Sequence, residues 1–185
     1  MSCSTLYLFP TPAEAACFSG RCPAAKIAVV GVGLAEAAAS AARLIAEYRP
    51  TRVVLAGIAG SCDEQLQVGE VVEVECDCVA GLPSAYAKEY RCRRITSLQG
   101  VSSFSVNHTA DVLHYGMSAK CAPAIEQMEG AAVAAVCEAL SVEFSHIRAI
   151  SNHVSDDRAA WRVGDALEAL GRELSDVYNN LSRTI

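Results

Sequence analysis

The chain has 185 residues, of which 52% are hydrophobic and 19% charged, and it carries a formal net charge of -6. That length and apolar content supply one substantial core, so the expectation is a single domain spanning residues 1–185, well above the hydrophobicity at which chains stay disordered. The acidic balance argues against nucleic acid or an anionic membrane as partner, and no apolar run reaches the roughly 18 residues of a membrane span, so a cytoplasmic location is expected.

Nine cysteines are scattered through apolar stretches with no C-x-x-C pair. An odd number without that spacing implies reduced thiols, with neither a disulfide framework nor a metal site. Cys76 and Cys78 would share one face of a strand, but two thiols do not close a metal shell.

In chain order, Leu6-Tyr7-Leu8-Phe9 reads as a first strand that leaves into a loop at Pro10-Thr11-Pro12, with Glu14 just beyond. Lys26 to Val30 is a second strand, followed by Gly31-Val32-Gly33 and an Ala-rich helix from about Ala35 to Tyr48, stopped by Arg49-Pro50. Arg52 to Ala56 is a third strand entering a small-residue turn, Gly57-Ile58-Ala59-Gly60-Ser61, which permits close backbone approach to a ligand. Val68 to Val74 begins another strand, Cys78 to Arg94 shows no clean period, and Arg94 to Ser105 holds a further strand. Ala124 to Leu140 reads as one long helix, Phe144 to Ile150 as the last strand, and Trp161 to Ser182 as a closing amphipathic helix. Strands alternating with helices predict an α/β fold.

Gly31-Val32-Gly33 is a weak dinucleotide fingerprint because Glu36 stands where the third glycine belongs. It reads better as a tight turn approaching a ligand or the next helix, and no cofactor is expected. The four histidines lack metal spacing and a companion nucleophile elbow, so they read as structural or exposed. The run Arg91 to Arg94 reads as a solvated segment, with a phosphate or carboxylate contact as the alternative. Glu129 interrupts an apolar stretch, Met128 then Gly130 to Val136, where an unpartnered carboxylate is costly to bury. Either it faces solvent in the first turn of a helix, or it sits at a pocket and accepts hydrogen bonds from vicinal hydroxyls.

Four segments in order, Gly31-Val32-Gly33 with its helix, Ala56 to Gly60 ahead of Val68-Gly69-Glu70-Val71-Val72, Met128-Glu129-Gly130-Ala131-Ala132, and Arg148-Ala149-Ile150-Ser151-Asn152, make the chain similar to the nucleoside phosphorylase and nucleosidase family. The likeness spans nearly the whole chain. It implies a three-layer αβα arrangement around a central mixed, mostly parallel twisted sheet. It also implies a purine nucleoside as small-molecule partner and a homo-oligomer. Pro10-Thr11 with Glu14, Gly100 with Val106-Asn107, Gln127 to Ala132, and Ser151-Asn152 followed by Asp157-Arg158 and Trp161 look most like the futalosine hydrolases within that family.

By this resemblance Glu14 would position or deprotonate water and Glu129 would bind the ribose hydroxyls. Met128 would pack on the sugar, and Gly60 and Ser151 would line the substrate site. Asn152 would be the second catalytic residue beside Glu14, set against the five-membered ring edge of the purine. Adenine-directed relatives usually carry Ser-Asp where this chain has Ser151-Asn152. An amide can donate to O6 and accept from N7-H of hypoxanthine, whereas a carboxylate suits a 6-amino purine. A phosphorylase would instead need cations beside the ribose, and Arg21, Arg43 and Arg52 are the arginines available, none in a recognised phosphate motif. A nucleoside-binding module without catalysis is the reading from another class.

Overall fold

A computed structural model of the chain describes residues 4–115 and 123–183. Its first strand, β1 (Thr5–Phe9), is buried on both faces, as the unbroken apolar run requires. It is flanked in parallel by β2 (Lys26–Val29) and β3 (Arg52–Ser61). The chain continues with β4 (Val71–Val79), β5 (Glu89–Arg91), β6 (Gln99–Ser105), β7 (Ala124–Gln127) and β8 (Glu143–His153). Between them lie the helices α1 (Pro12–Arg21), α2 (Leu34–Tyr48), α3 (Asp111–His114) and α4 (Gly130–Ala139), and α5 (Val163–Arg183) ends the fold.

Helices cover both faces of the β1 region. Tyr7, Phe9 and Val54 point toward α1 and α5, meeting Phe18, Leu170 and Leu174. The alternate residues Leu6, Leu8 and Val53 point toward α2 and α4, meeting Ala41, Leu44, Val133 and Cys137. Period-2 alternation in the strands and period-3.6 spacing in the helices thus divide one apolar set into two cores.

The sheet is mixed, with five of its eight pairings parallel among the described residues. It departs from the simple three-layer sheet that was expected, because β3, β7, β6, β4 and β8 pair in a closed ring. The long strands β3 and β8 outrun the helices, and register shifts at Ala59/Gly60 and Val74/Cys76 bend the ladder until both edges find partners. Closure leaves the ring without a free edge.

Three sequence expectations are corrected. Pro10-Thr11-Pro12 opens helix α1 instead of a loop: Thr11 is the N-cap, Pro12 takes the first turn where its missing N–H costs nothing, and Glu14 completes a T-x-x-E pattern. Gly57 to Ser61 is not a turn but the second half of β3, paired to β8 and at its end to β7. Ala124 to Leu140 is not one helix. Ala124–Gln127 is a fully buried strand, and the helix starts only after Glu129 because the Gln127 side-chain carbonyl takes the Glu129 and Gly130 N–H groups at 2.7 and 2.6 Å. The unassigned segment 78–94 ends β4 and forms β5, and α3 was not anticipated.

The described cysteines are all free thiols, and burial pushes those of Cys62 and Cys137 up to about 12. Cys3 and Cys121 lie outside the described residues. No described helix is long and apolar enough to cross a membrane.

Candidate functional site

A cavity of about 480 Å³ opens where β1, β3, β7 and β8 end, roofed by residues that follow β6 and by the segment leading into α5. Ligands of open α/β sheets bind at such strand ends, where side chains of several elements converge. Glu14, Gly60, Met128, Glu129, Ser151 and Asn152, the residues nominated from sequence, all line it.

Glu14 stands in the first turn of α1, 8% exposed. Its Oε2 accepts from the Thr11 hydroxyl at 2.7 Å, and Oε1 accepts from the Ile58 backbone N–H at 3.1 Å. The Thr11 oxygen meanwhile accepts from the Glu14 N–H at 3.2 Å, so the helix cap and the carboxylate share one hydroxyl. Gly57 must be glycine here: a Cβ would lie 2.7 Å from both Glu14 Oε1 and Arg148 Nη1.

Glu129, the N-cap residue of α4, is 3% exposed, which removes the solvent-facing alternative. Its Oε1 accepts from the Gly33 N–H at 3.1 Å and its Oε2 from Arg148 Nη2 at 3.1 Å. The Gly31-Val32-Gly33 turn, with positive φ at both glycines, therefore presents an N–H to a carboxylate of this chain. Arg148 is 1% exposed. Its three nitrogens are committed: Nη1 to the Ile58 carbonyl, Nη2 to Glu129 and to Gln127 Oε1, and Nε to His146 Nε2 at 2.7 Å.

Asn152 is 4% exposed on β8. Its Oδ1 accepts from the Ser151 hydroxyl at 2.8 Å, and one Nδ2 hydrogen goes to the His153 carbonyl at 2.8 Å. A second N–H and a second lone pair remain for a ligand. Gly60 lets this amide close in, since a Cβ there would lie 3.2 Å from Nδ2.

The cavity holds a third carboxylate, Glu126, which accepts from the Ala110 N–H at 2.6 Å. Burial, together with the nearby Asp111 charge, holds its carboxyl above the usual range against the pull of the Ala110 and Val112 N–H groups. At the rim the Arg158 guanidinium lies 5.2 Å from the Trp161 ring centroid. Arg21, Arg43 and Arg52 sit outside the cavity in ion pairs with Glu168, Glu47 and Glu143. The run from Arg91 to Arg94 is tied to Glu89, Glu143, Glu73 and Glu75, and His153 lies beside Asp156 off the cavity wall. Among the described residues no group of three or more His, Cys, Asp or Glu side chains is placed to hold a metal ion.

Sequence reasoning gave no role to Arg148, Gln127, Thr11 or Asp77. Arg148 carried a signal, since a cation inside the apolar run Phe144 to Ile150 is as costly to bury as Glu129. Thr11 carried the capping pattern.

A nucleoside phosphorylase-like α/β fold with this convergence of carboxylates defines the class, and the chain belongs to the Phosphorylase superfamily, whose sequence profile matches residues 14–75. A futalosine hydrolase from Thermus thermophilus is 29% identical, covering 77% of this chain and 76% of that one. A 5′-methylthioadenosine/S-adenosylhomocysteine nucleosidase from Bacillus subtilis is 31% identical, covering 69% of this chain and 70% of that one. Among solved structures, a futalosine hydrolase mutant of Helicobacter pylori superposes with a TM-score of 0.81 at 13% identity, covering 96% of this chain and 98% of that one.

Proposed function

We propose that this chain is a purine N-ribosyl hydrolase that cleaves futalosine to hypoxanthine and dehypoxanthinyl futalosine, a reaction of menaquinone biosynthesis. The observation that carries the reading is the convergence of Glu14, Met128, Glu129 and Asn152 on one cavity. Hydrolysis breaks the bond between C1′ and N9 and places a water oxygen on C1′, while the base leaves with a proton gained at nitrogen. Glu14 takes the proton of the attacking water, its own oxygens held by Thr11 and Ile58. Glu129 accepts from the ribose hydroxyls, and its charge favours positive character developing on the sugar ring. Met128 packs on the apolar face of the sugar, beside the wall formed by Gly60 and Ser151.

Asn152 cannot deliver a proton, so its part is to recognise the leaving base: its free N–H donates to O6 of hypoxanthine and its carbonyl accepts from N7-H. The proton then comes from solvent. A 5′-methylthioadenosine/S-adenosylhomocysteine nucleosidase is the second reading, favoured by the Bacillus subtilis relative's 31% identity.

Against phosphorolysis stand the three carboxylates lining the cavity and the commitment of Arg148 to protein acceptors; the other cation on the described lining, Arg158, stands at the rim over the Trp161 ring. Against a non-catalytic module stands the presence of both Glu14 and Glu129. The proposal includes one domain over residues 1–185, a cytoplasmic location, and a homo-oligomer in which a neighbour covers Val32, a half-exposed residue on the cavity wall.

Incubation with futalosine, methylthioadenosine and inosine, with and without phosphate, followed by chromatography of the products, tests the reading. Phosphate-independent release of hypoxanthine from futalosine is expected. Release of adenine from methylthioadenosine alone would select the second reading, and dependence on phosphate would replace both.

A further inference from the structure

Beneath the cavity floor the closed ring of strands encloses a polar cluster that the proposed chemistry does not use. Asp77 on β4 and His146 on β8 are both buried, at 1% and 0% exposure. Asp77 Oδ2 accepts from Gln127 Nε2 at 2.9 Å, and Oδ1 accepts from the Ser105 hydroxyl at 3.0 Å. His146 Nε2 accepts from Arg148 Nε at 2.7 Å. A guanidinium has only hydrogens to offer, so this ring nitrogen must be the unprotonated one, and the ring proton sits on Nδ1. Nδ1 has no hydrogen-bond partner and lies 3.5 Å from Asp77 Oδ2.

Two arms therefore leave Asp77 and meet again at Glu129. One runs through the Gln127 amide, whose carbonyl takes the Glu129 N–H. The other runs through His146 to Arg148, whose Nη2 holds the Glu129 carboxylate. The first fixes the backbone of Glu129 and the second its side chain. Gly130 is part of the arrangement: a Cβ there would collide with Asp77 Oδ2 and come within 2.5 Å of His146 Cε1, so the start of α4 can rest on the cluster only as glycine.

We propose that Asp77 and His146 are positioning residues that orient Arg148, and through it the Glu129 carboxylate, toward the sugar. The role toward substrate rests on the nucleosidase reading. The geometry of the cluster does not. Arg148 demands the tautomer with its proton on Nδ1, and Asp77, 3.5 Å from that nitrogen, is the acidic group facing the proton; without the carboxylate the buried Nδ1–H faces no charge and the ring is free to turn away from the Arg148 N–H. Buried networks of this kind fix side chains to within fractions of an ångström, and a misplacement of about 1 Å at a site can cost about 100-fold in rate.

The experiment has two parts, made on the full chain. In the free protein, nitrogen NMR of the histidines and of the arginine side chains reads the cluster without any substrate. His146 is expected as the neutral ring protonated at Nδ1, with a slowly exchanging Arg148 Nε–H. A ring protonated at Nε2, or a charged one, overturns the proposal even if no variant can be made. In Asp77→Asn and His146→Leu the Arg148 Nε–H signal is expected to broaden or vanish. With it, kcat/KM for the nucleoside that the wild type hydrolyses should fall about 100-fold. His146→Gln, whose amide oxygen can still accept from Arg148, is expected to restore both the signal and most of the activity. Folded Asp77→Asn and His146→Leu proteins with an unchanged Arg148 signal and unchanged kcat/KM overturn the proposal. A wild type that hydrolyses no nucleoside refutes the functional reading instead, and leaves the NMR result to judge the cluster.

Discussion

Glu14 and Glu129 are both buried carboxylates on the wall of one cavity, yet they are held in opposite ways. Glu14 depends on a helix cap three residues away and on one strand N–H. Glu129 depends on Gly33 and Arg148, 96 and 19 residues away, and behind Arg148 on Gln127 and His146. The first arrangement is local and can be broken piecemeal. The second is a network spanning the ring of strands, in which removing one member strands another in a dry interior. Proton transfer needs a group that can exchange with water, and sugar binding needs one that does not move, so each support suits the chemistry proposed above it.

The largest effects should come from the carboxylates themselves. Glu14→Gln removes the base but keeps an oxygen for the Ile58 N–H and a hydrogen-bonding partner for Thr11, so turnover should fall by about 10²- to 10⁴-fold with little change in melting temperature. Glu129→Ala should abolish turnover to a similar degree and, unlike the first variant, lower stability by about 3 kcal/mol, because it leaves the Arg148 charge buried with one partner fewer. Steady-state kinetics and thermal melts on the pair decide the matter. Equal stability losses, or full activity in either variant, would break the contrast.

The same contrast explains what could be read from sequence. The capping threonine, the apolar strands and the Ala-rich helix follow from neighbours in the chain, and the pattern T-x-x-E at Thr11 and Glu14 was legible, though two prolines disguised it as a loop. Glu129 could be singled out because a charge interrupts an apolar run. Its partners could not: nothing local to Asp77, set between two cysteines, or to His146 reveals that β4 and β8 pair and bring them together. Ring closure likewise depends on register shifts in β3 and β4, and Ala124 to Gln127 has no local pattern to separate a buried strand from the helix that follows.

A smaller effect is expected at Asn152, which is held partly locally, by Ser151 and the His153 carbonyl. Asn152→Asp should lower kcat/KM on a hypoxanthine nucleoside by about 10- to 100-fold, the value of one mismatched hydrogen bond at a polar site, and raise it on an adenine nucleoside. Competition assays with both substrates measure the ratio, and an unchanged preference would remove Asn152 from base recognition. Smaller still is Thr11→Ala. Loss of the cap should cost about 1 kcal/mol of stability and, by loosening the Glu14 carboxylate, a few-fold in kcat with KM unaltered. Thr11→Ser keeps the hydroxyl and should behave as wild type. If Thr11→Ala instead matched the loss of Glu14→Gln, the support of Glu14 would not be piecemeal after all.

The subtlest distinction lies in how the deep network responds to pH. Burial, opposed by the Ser105 hydroxyl and the Arg148 charge, pushes the Asp77 carboxyl up to about 7, while burial and then the Arg148 charge drive His146 well below the ordinary value of 6.5. A raised carboxyl contributes stability that is complete below the unfolded value, about 3.9, and disappears as pH rises through about 7. A lowered histidine contributes stability that is present above 6.5 and is lost as pH falls. Below 6.5, and for as long as the native His146 ring stays neutral, the unfolded pair holds one proton, on the histidine, and the native pair also holds one, on Asp77, so the two slopes cancel. Asp77→Asn removes one of them. The native pair in the variant then holds no proton where the unfolded chain holds one on His146, so its stability should fall relative to wild type as the pH is lowered through 6.5. Urea midpoints on both sides of that pH, taken as the difference between variant and wild type, give the sign directly. A difference independent of pH would mean that Asp77 and His146 do not titrate as an opposed pair, and that the deep support of Glu129 is electrostatically as simple as the shallow support of Glu14.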